Sequence, residues 1–238
     1  MVTDIISPGD KIDIKFLHQN VGKTYRSNVF DFISETELEI GMPTEGGKLV
    51  LFNVGFSGQF YFYTQKGIFT CEAVVTDRYR KENFALLVIR LKSILKKFQR
   101  RDYFRVDYYE EFTYYPTDKS ILELETLEDV AKEVSSVEYI LKQQSGRAQD
   151  LSGGGIRFIA NEPIEIGSYI VTVLKLKNEK MDKTFYLPTE IIACDPIEKV
   201  PEKKMIRAKF IFKDLNDREL IIKYVFERDR YLRKKENG

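Results

Sequence analysis

The stretch KIDIKF (residues 11–16) alternates apolar and charged residues with a period of two. Successive side chains of a strand point to opposite faces. Ile12, Ile14 and Phe16 therefore share an apolar face, and Lys11, Asp13 and Lys15 a solvated one. The pattern returns in ETELEI (35–40) and in MIRAKFIF (205–212), where Ile206, Ala208, Phe210 and Phe212 oppose Arg207 and Lys209. Other runs carry the same signature of short strands. GQFYFYTQKGIFTCEAVV reads as two aromatic strands joined at Gln65-Lys66-Gly67, and FALLVIRL as a strand buried on both faces. A turn cluster, GMPTEGG, separates ETELEI from these. Short strands at this spacing predict small sandwiches or barrels.

A second β group begins at YFRVDYYEEFTYYP and continues through GIRFIA, SYIVTVLKLK, KTFYLPTEIIA and MIRAKFIF. Between the two groups lies KKFQRRDYFRV (96–106), with five cations in eleven residues. The expected organisation is mainly β, with two small β domains in tandem: residues 1–95, a basic linker at 96–105, and residues 106–238.

Two helices interrupt the β pattern. NDRELIIKYVFERDRYLRKK places Asn216 as N-cap with Glu219 at the third helical position, and ends in basic residues that suit a helix C-terminus. TLEDVAKEVSSVEYILKQQSG carries Leu127, Val130, Val134, Val137 and Leu141 at steps of three and four, with Ser145-Gly146 as its end. Such a seam packs on its own domain or on a second copy, so the chain is expected as a monomer or a homodimer.

Charge narrows the function classes. A formal net charge of +1 over 238 residues is too balanced for a general nucleic-acid or membrane-surface binder, so any anion site must be local. The longest apolar run, FALLVI, is too short to span a bilayer, and MVTDIISPGD has an acid and a Pro-Gly break where a signal peptide needs an apolar run. Cys71 and Cys194 lie far apart in strand-like stretches and read as two buried thiols of a cytoplasmic protein. His18 is the single histidine and reads as a surface loop residue, which with no paired cysteines argues against a zinc or iron site. The sequence has no Walker loop and no GxSxG elbow, and nothing in it supports an enzyme.

The local anion site has two candidate halves. Arg101 and Arg105 are four residues apart, and each offers a planar fork that fits a phosphate, or O6 and N7 of guanine. The other half is RAQDLSGGGIRF. Asp150 and Ser152 supply acceptors for the N1–H and N2 amino group of guanine. The three glycines mark either a tight turn, a positive φ, or close approach of another group to the backbone. Gly155 would leave room for a base or a sugar.

QRRDYFR resembles the RxxxR motif, and DLSGGG the DxSxxG motif, of PilZ domains, which bind the bacterial second messenger cyclic di-GMP. The region before them, with GMP and GQFYFY, is similar to the companion domain of YcgR-like flagellar brake proteins. This resemblance implies that the second domain is a six-stranded antiparallel barrel with a C-terminal helix, and here an inserted helix. It implies a non-catalytic receptor with no resident cofactor and no nucleic-acid partner. Arg101, Arg105, Asp150, Ser152 and Gly155 carry over as ligand residues, and Arg100 is added either as the grip on a second ligand molecule or as a linker charge, with two ligands per chain expected. The implied mechanism is a ligand-driven change in domain angle that presents a surface to a flagellar motor component, without membrane insertion. Two rivals are a β-rich single-stranded nucleic-acid binder and a nucleotide-independent adaptor.

Overall fold

The structure, a computed structural model, describes residues 1–16 and 23–236; His18 lies outside them. The chain divides into two compact units, Met1–Arg100 and Arg101–Gly238.

The first unit contains β1 (Lys11–Phe16), β2 (Thr24–Phe32), β3 (Glu37–Gly41), β4 (Thr44–Glu45), β5 (Lys48–Leu49), β6 (Ser57–Thr64), β7 (Gly67–Lys81), β8 (Phe84–Leu91) and β9 (Lys96–Lys97). Antiparallel pairing runs β6-β1-β2-β3-β8-β7 and closes through β6–β7, giving a six-stranded barrel. The period-two reading of KIDIKF holds at its centre, where Ile12 and Ile14 are fully buried beside Phe60 and Phe62. Each such side chain contributes about 1.5–3 kcal/mol by leaving water. Thr64 and Gly67 pair across a two-residue Gln65-Lys66 turn. The GMPTEGG cluster forms the small β4–β5 hairpin, whose Gly46 and Gly47 both have positive φ (+55° and +77°), the requirement of a type I′ turn. The sequence reading had no counterpart of β2, whose burial alternates too weakly to stand out.

β9 lies within the stretch expected as the basic interdomain linker. Lys96 and Lys97 pair with Thr70 and Phe69 of β7, the Phe98 amide donates to the Ile68 carbonyl at 2.8 Å, and the Phe98 ring meets Tyr61 edge-on at 5.0 Å. The basic stretch is thus joined to the first barrel through Phe98.

The second unit contains β10 (Arg105–Asp107), β11 (Glu111–Thr117), α1 (Leu127–Val134), α2 (Val137–Leu141), β12 (Gln144–Ser152), β13 (Gly155–Ala160), β14 (Tyr169–Lys177), β15 (Asp182–Pro196), β16 (Lys204–Phe210) and α3 (Leu215–Glu236). Its antiparallel order is β12-β11-β14-β15-β16-β13, closed by β12–β13 into a second six-stranded barrel. Phe158, Phe185, Leu187 and Ile206 are fully buried in its core, and α3 adds Ile221, Tyr224 and Val225.

Three sequence expectations shift here. The seam helix is broken at Ser135-Ser136. Val130 and Val134 of α1 are buried with Ile121 and Val171, whereas Val137 and Leu141 of α2 are 74% and 81% exposed. Ser145-Gly146 does not end a helix but lies within β12, where a Cβ on Gly146 would meet the Phe158 and Phe112 rings at 2.8 and 3.0 Å. Finally, α3 starts at Leu215 and its cap is Asp214, whose carboxylate accepts from the Asn216 amide at 2.9 Å. That contact with the helix N-terminus holds the Asp214 carboxyl below the usual carboxylate range. The cap therefore precedes Asn216 by two residues, and Glu219 lies beyond the third helical position.

Cys71 is buried, and burial pushes its thiol up to about 12; Cys194 is only half-buried, and both thiols are free. Among the described residues no helix is long and apolar enough to cross a membrane, and no group of three or more His, Cys, Asp or Glu is placed to hold a metal ion.

Candidate ligand-binding face of the second barrel

β10 exists because β11 covers only half of one edge of β12. β11 pairs with Gln144–Arg147, and the remaining half, Asp150–Ser152, is taken by Arg105–Asp107. The connecting residues are stitched to the same strand: the Tyr108 amide donates to the Gln149 carbonyl at 3.1 Å, and the Ala148 amide to the Glu110 carbonyl at 2.9 Å.

This pairing fixes the register of the site. Arg105 lies opposite Ser152, and Ser152 opposite Gly155. One step further outward along the ladder, Asp107 lies opposite Asp150, and Asp150 opposite Arg157. Residues directly opposite in an antiparallel pair share a face. Val106, Leu151 and Ile156, between the two rows, point into the core. Arg105, Asp150, Ser152 and Gly155 are therefore assembled on the outer face of one three-stranded patch.

Asp150 and Ser152 belong to the end of a strand rather than to a turn; the turn is Gly153-Gly154 alone. The Ser152 hydroxyl donates to the Gly155 carbonyl at 3.2 Å and accepts from the Gly154 amide at 3.3 Å. It fixes the hairpin that carries Asp150, and is itself buried.

Of the explanations open for the glycine run, close approach applies at all three positions, and none has a positive φ. A Cβ on Gly153 would meet Ile222 of α3 at 2.3 Å, and one on Gly154 the Tyr103 ring at 2.7 Å. At Gly155 it would meet the Ala208 carbonyl oxygen at 2.1 Å. The space kept at Gly155 is thus filled by the backbone of β16, not left open for a base or sugar.

Tyr103, inside the QRRDYFR stretch, is the residue that ties this stretch to the glycine turn. Its ring covers Gly154, and its hydroxyl accepts from Arg218 Nη1 of α3 at 3.1 Å. Phe104 stacks on Phe226 of the same helix, with centroids 5.6 Å apart and planes at 13°. The cavity under these rings, lined by Asp102, Tyr103, Gly153 and Ile222 among others, measures about 190 Å³. That is below the roughly 300 Å³ from which small-molecule pockets ordinarily run.

Arg101 opens the second unit and is exposed; Arg100 closes the first, where its guanidinium lies 5.3 Å from the Tyr63 ring centroid and donates to the Tyr63 hydroxyl at 3.1 Å. The Tyr63 hydroxyl in turn donates to Asp13 at 2.5 Å. Sequence reasoning missed Tyr103, Asp107 and Arg157 as neighbours of the site. Arg157 had a usable signal, since it stands two residues after Gly155 on a strand and so on the same face.

Two family models match the chain. One is described as flagellar protein YcgR and matches residues 7–91; the other, the PilZ domain, matches residues 99–227. Among solved structures, the Bacillus subtilis inhibitor of motility (MotI/DgrA) aligns over 95% of this chain and 99% of its own, with 14% identity and a TM-score of 0.72. The Escherichia coli YcgR complex with cyclic di-GMP aligns over 96% of this chain and 88% of its own, at 13% identity and a TM-score of 0.49. No curated protein sequence matches the chain.

Proposed function

The chain belongs to the PilZ-domain family, with a YcgR-type domain ahead of the PilZ domain, and from that premise we propose that it is a cyclic di-GMP receptor that acts on motility through a protein partner. Arg101 and Arg105 grip phosphate or the O6/N7 edge of guanine, Asp150 accepts from the N1–H and N2 amino group of a guanine, and Ser152 and Gly155 hold the hairpin in shape. The observation that carries this reading is the ladder register: Arg105 of the RxxxR stretch stands directly opposite Ser152 of the DxSxxG stretch. Two segments separated by over forty residues are thereby brought to one face.

Arg100 serves a second ligand molecule, because cyclic di-GMP stacks readily into an intercalated pair. The receptor works in the cytoplasm, and its target is a flagellar motor component; the match to the flagellar protein YcgR and the fold shared with an inhibitor of motility support that reading. Ligand acts by its differential affinity for one arrangement of the two domains. Tyr103 and β10 already hold the C-terminal half of the basic stretch to the second barrel. Any rearrangement is then expected at the boundary of the two units, between Arg100 and Arg101.

Titration calorimetry with cyclic di-GMP, cyclic di-AMP, GTP and a single-stranded oligonucleotide, each at two salt concentrations, tests the proposal. Binding of cyclic di-GMP alone is the expected result. Oligonucleotide binding that falls steeply with salt would establish a nucleic-acid binder instead.

A further inference from the structure

Four strands contribute one outward residue each to a single row: Asp107, Asp150, Arg157 and Arg207 are successive register partners. Two carboxylates directly opposite one another disfavour pairing, and the row sets two guanidiniums beside them. The outer guanidinium already has its own partner, since Arg207 Nη2 lies 3.0 Å from Asp195. The inner one does not settle so simply. Arg157 Nε lies 2.6 Å from Asp150 Oδ2, yet this nitrogen is buried and its N–H makes no hydrogen bond. The contact is charge against charge without donor alignment. The Asp150 side chain is 13% exposed and that of Arg157 43%, so much of the Arg157 side chain remains open to solvent beside a largely covered carboxylate.

We propose that Arg157 is a specificity-determining residue, which together with Asp150 reads the full edge of one guanine; this rests on the cyclic di-GMP reading above. Guanine presents N2–H and N1–H donors followed by the O6 and N7 acceptors. A carboxylate with a guanidinium at its side presents the complement: acceptors for the two donors, and a fork of donors for O6 and N7. Adenine inverts the middle of that sequence, with an acceptor at N1 and a donor at N6. Asp150 would then face an acceptor and Arg157 a donor, and a buried polar group left facing its like is the most effective way to reject a ligand. Alignment with O6 also gives the Arg157 fork the directed acceptor that the carboxylate alone does not provide. Arg101 and Arg105 are left to the phosphates and the second base.

The test compares Arg157→Gln and Arg157→Lys with the unaltered chain, measuring cyclic di-GMP and cyclic di-AMP affinities by calorimetry and ligand-free melting temperature by calorimetric scanning. Arg157→Gln is expected to weaken cyclic di-GMP roughly ten- to hundredfold, the range of a lost bidentate base contact. Cyclic di-AMP binding should change far less, so that discrimination narrows. Arg157→Lys keeps the charge beside Asp150 and the fold but loses the fork, and is expected to lose discrimination as well. Lysine restoring both affinity and discrimination would reduce Arg157 to a neutraliser of Asp150 and overturn the inference. An unaltered chain that binds cyclic di-GMP, with both variants discriminating as it does, overturns the inference alone. An unaltered chain that binds no cyclic di-GMP overturns the receptor reading beneath it.

Discussion

Arg105 and Gly155 flank Ser152 in one ladder row and answer to different physical demands. Arg105 is exposed on a three-residue strand whose inward hold is Val106, so truncating it removes the proposed ligand contact without opening the core. Arg105→Ala is expected to weaken cyclic di-GMP binding by roughly 1–3 kcal/mol while the ligand-free melting temperature stays within a degree or two. A large fall in that temperature would make the arginine structural. Gly155→Ala should behave in the opposite way. Its methyl group would sit 2.1 Å from a backbone carbonyl of β16, which has no flexible end to move aside. Overpacking of that kind costs about 1–3 kcal/mol or more. Thermal unfolding of the ligand-free protein should show the loss, and affinity should fall only as far as the hairpin distorts. An alanine variant as stable as the parent would show that β13 and β16 can separate at this point.

At the scale of elements, the split between α1 and α2 changes what the apolar seam can do. Val130 and Val134 contribute to the core against Val171, whereas Val137 and Leu141 face solvent on a helix too short to be stable by itself. Substituting Val137 and Leu141 together by Asp is expected to leave the melting temperature nearly unchanged, and Val130→Ala to cost about 1–3 kcal/mol of stability and lower that temperature by several degrees. Equal losses would mean that both halves are buried in solution, as in a dimer formed through this face; sedimentation of the aspartate variant would then show dissociation. The period-two stretches KIDIKF, GIRFIA and MIRAKFIF were legible as strands because one face is core and the other water. QSGRAQDLS was not, since its bulge between Ala148 and Asp150 breaks the alternation just where the site begins. The seam was read as continuous because steps of three and four carry no information about Ser135-Ser136, two residues that favour caps over helix interiors. The motif arginines, acid, serine and glycine were legible as types at a spacing. Which of them would touch ligand and which would hold the hairpin depended on β16 and α3, segments some fifty and seventy residues further along.

For the whole molecule, the division between the two units falls within the arginine pair itself. Arg100 is held by Tyr63, whose hydroxyl leans on Asp13, all within the first barrel; Arg101 is the first residue of the second unit. On the proposed reading, ligand binding energy is spent on the arrangement of the two units through residues on either side of this division. Two measurements on Arg100→Ala separate this from a single-barrel site. Calorimetric stoichiometry is expected to fall from two cyclic di-GMP molecules per chain to one, because the first-barrel cation is the one assigned to the second molecule. Fluorescence transfer between labels placed on the two barrels should change with ligand in the parent and change much less in the variant. Tyr63→Phe offers a finer probe. It keeps the ring beneath the guanidinium but removes the hydroxyl that accepts from Arg100, so Arg100 is loosened without being lost, and the transfer change should survive at a higher ligand concentration. Stoichiometry and transfer that are both indifferent to Arg100 would confine cyclic di-GMP to the outer face of the second barrel and remove the first from the mechanism.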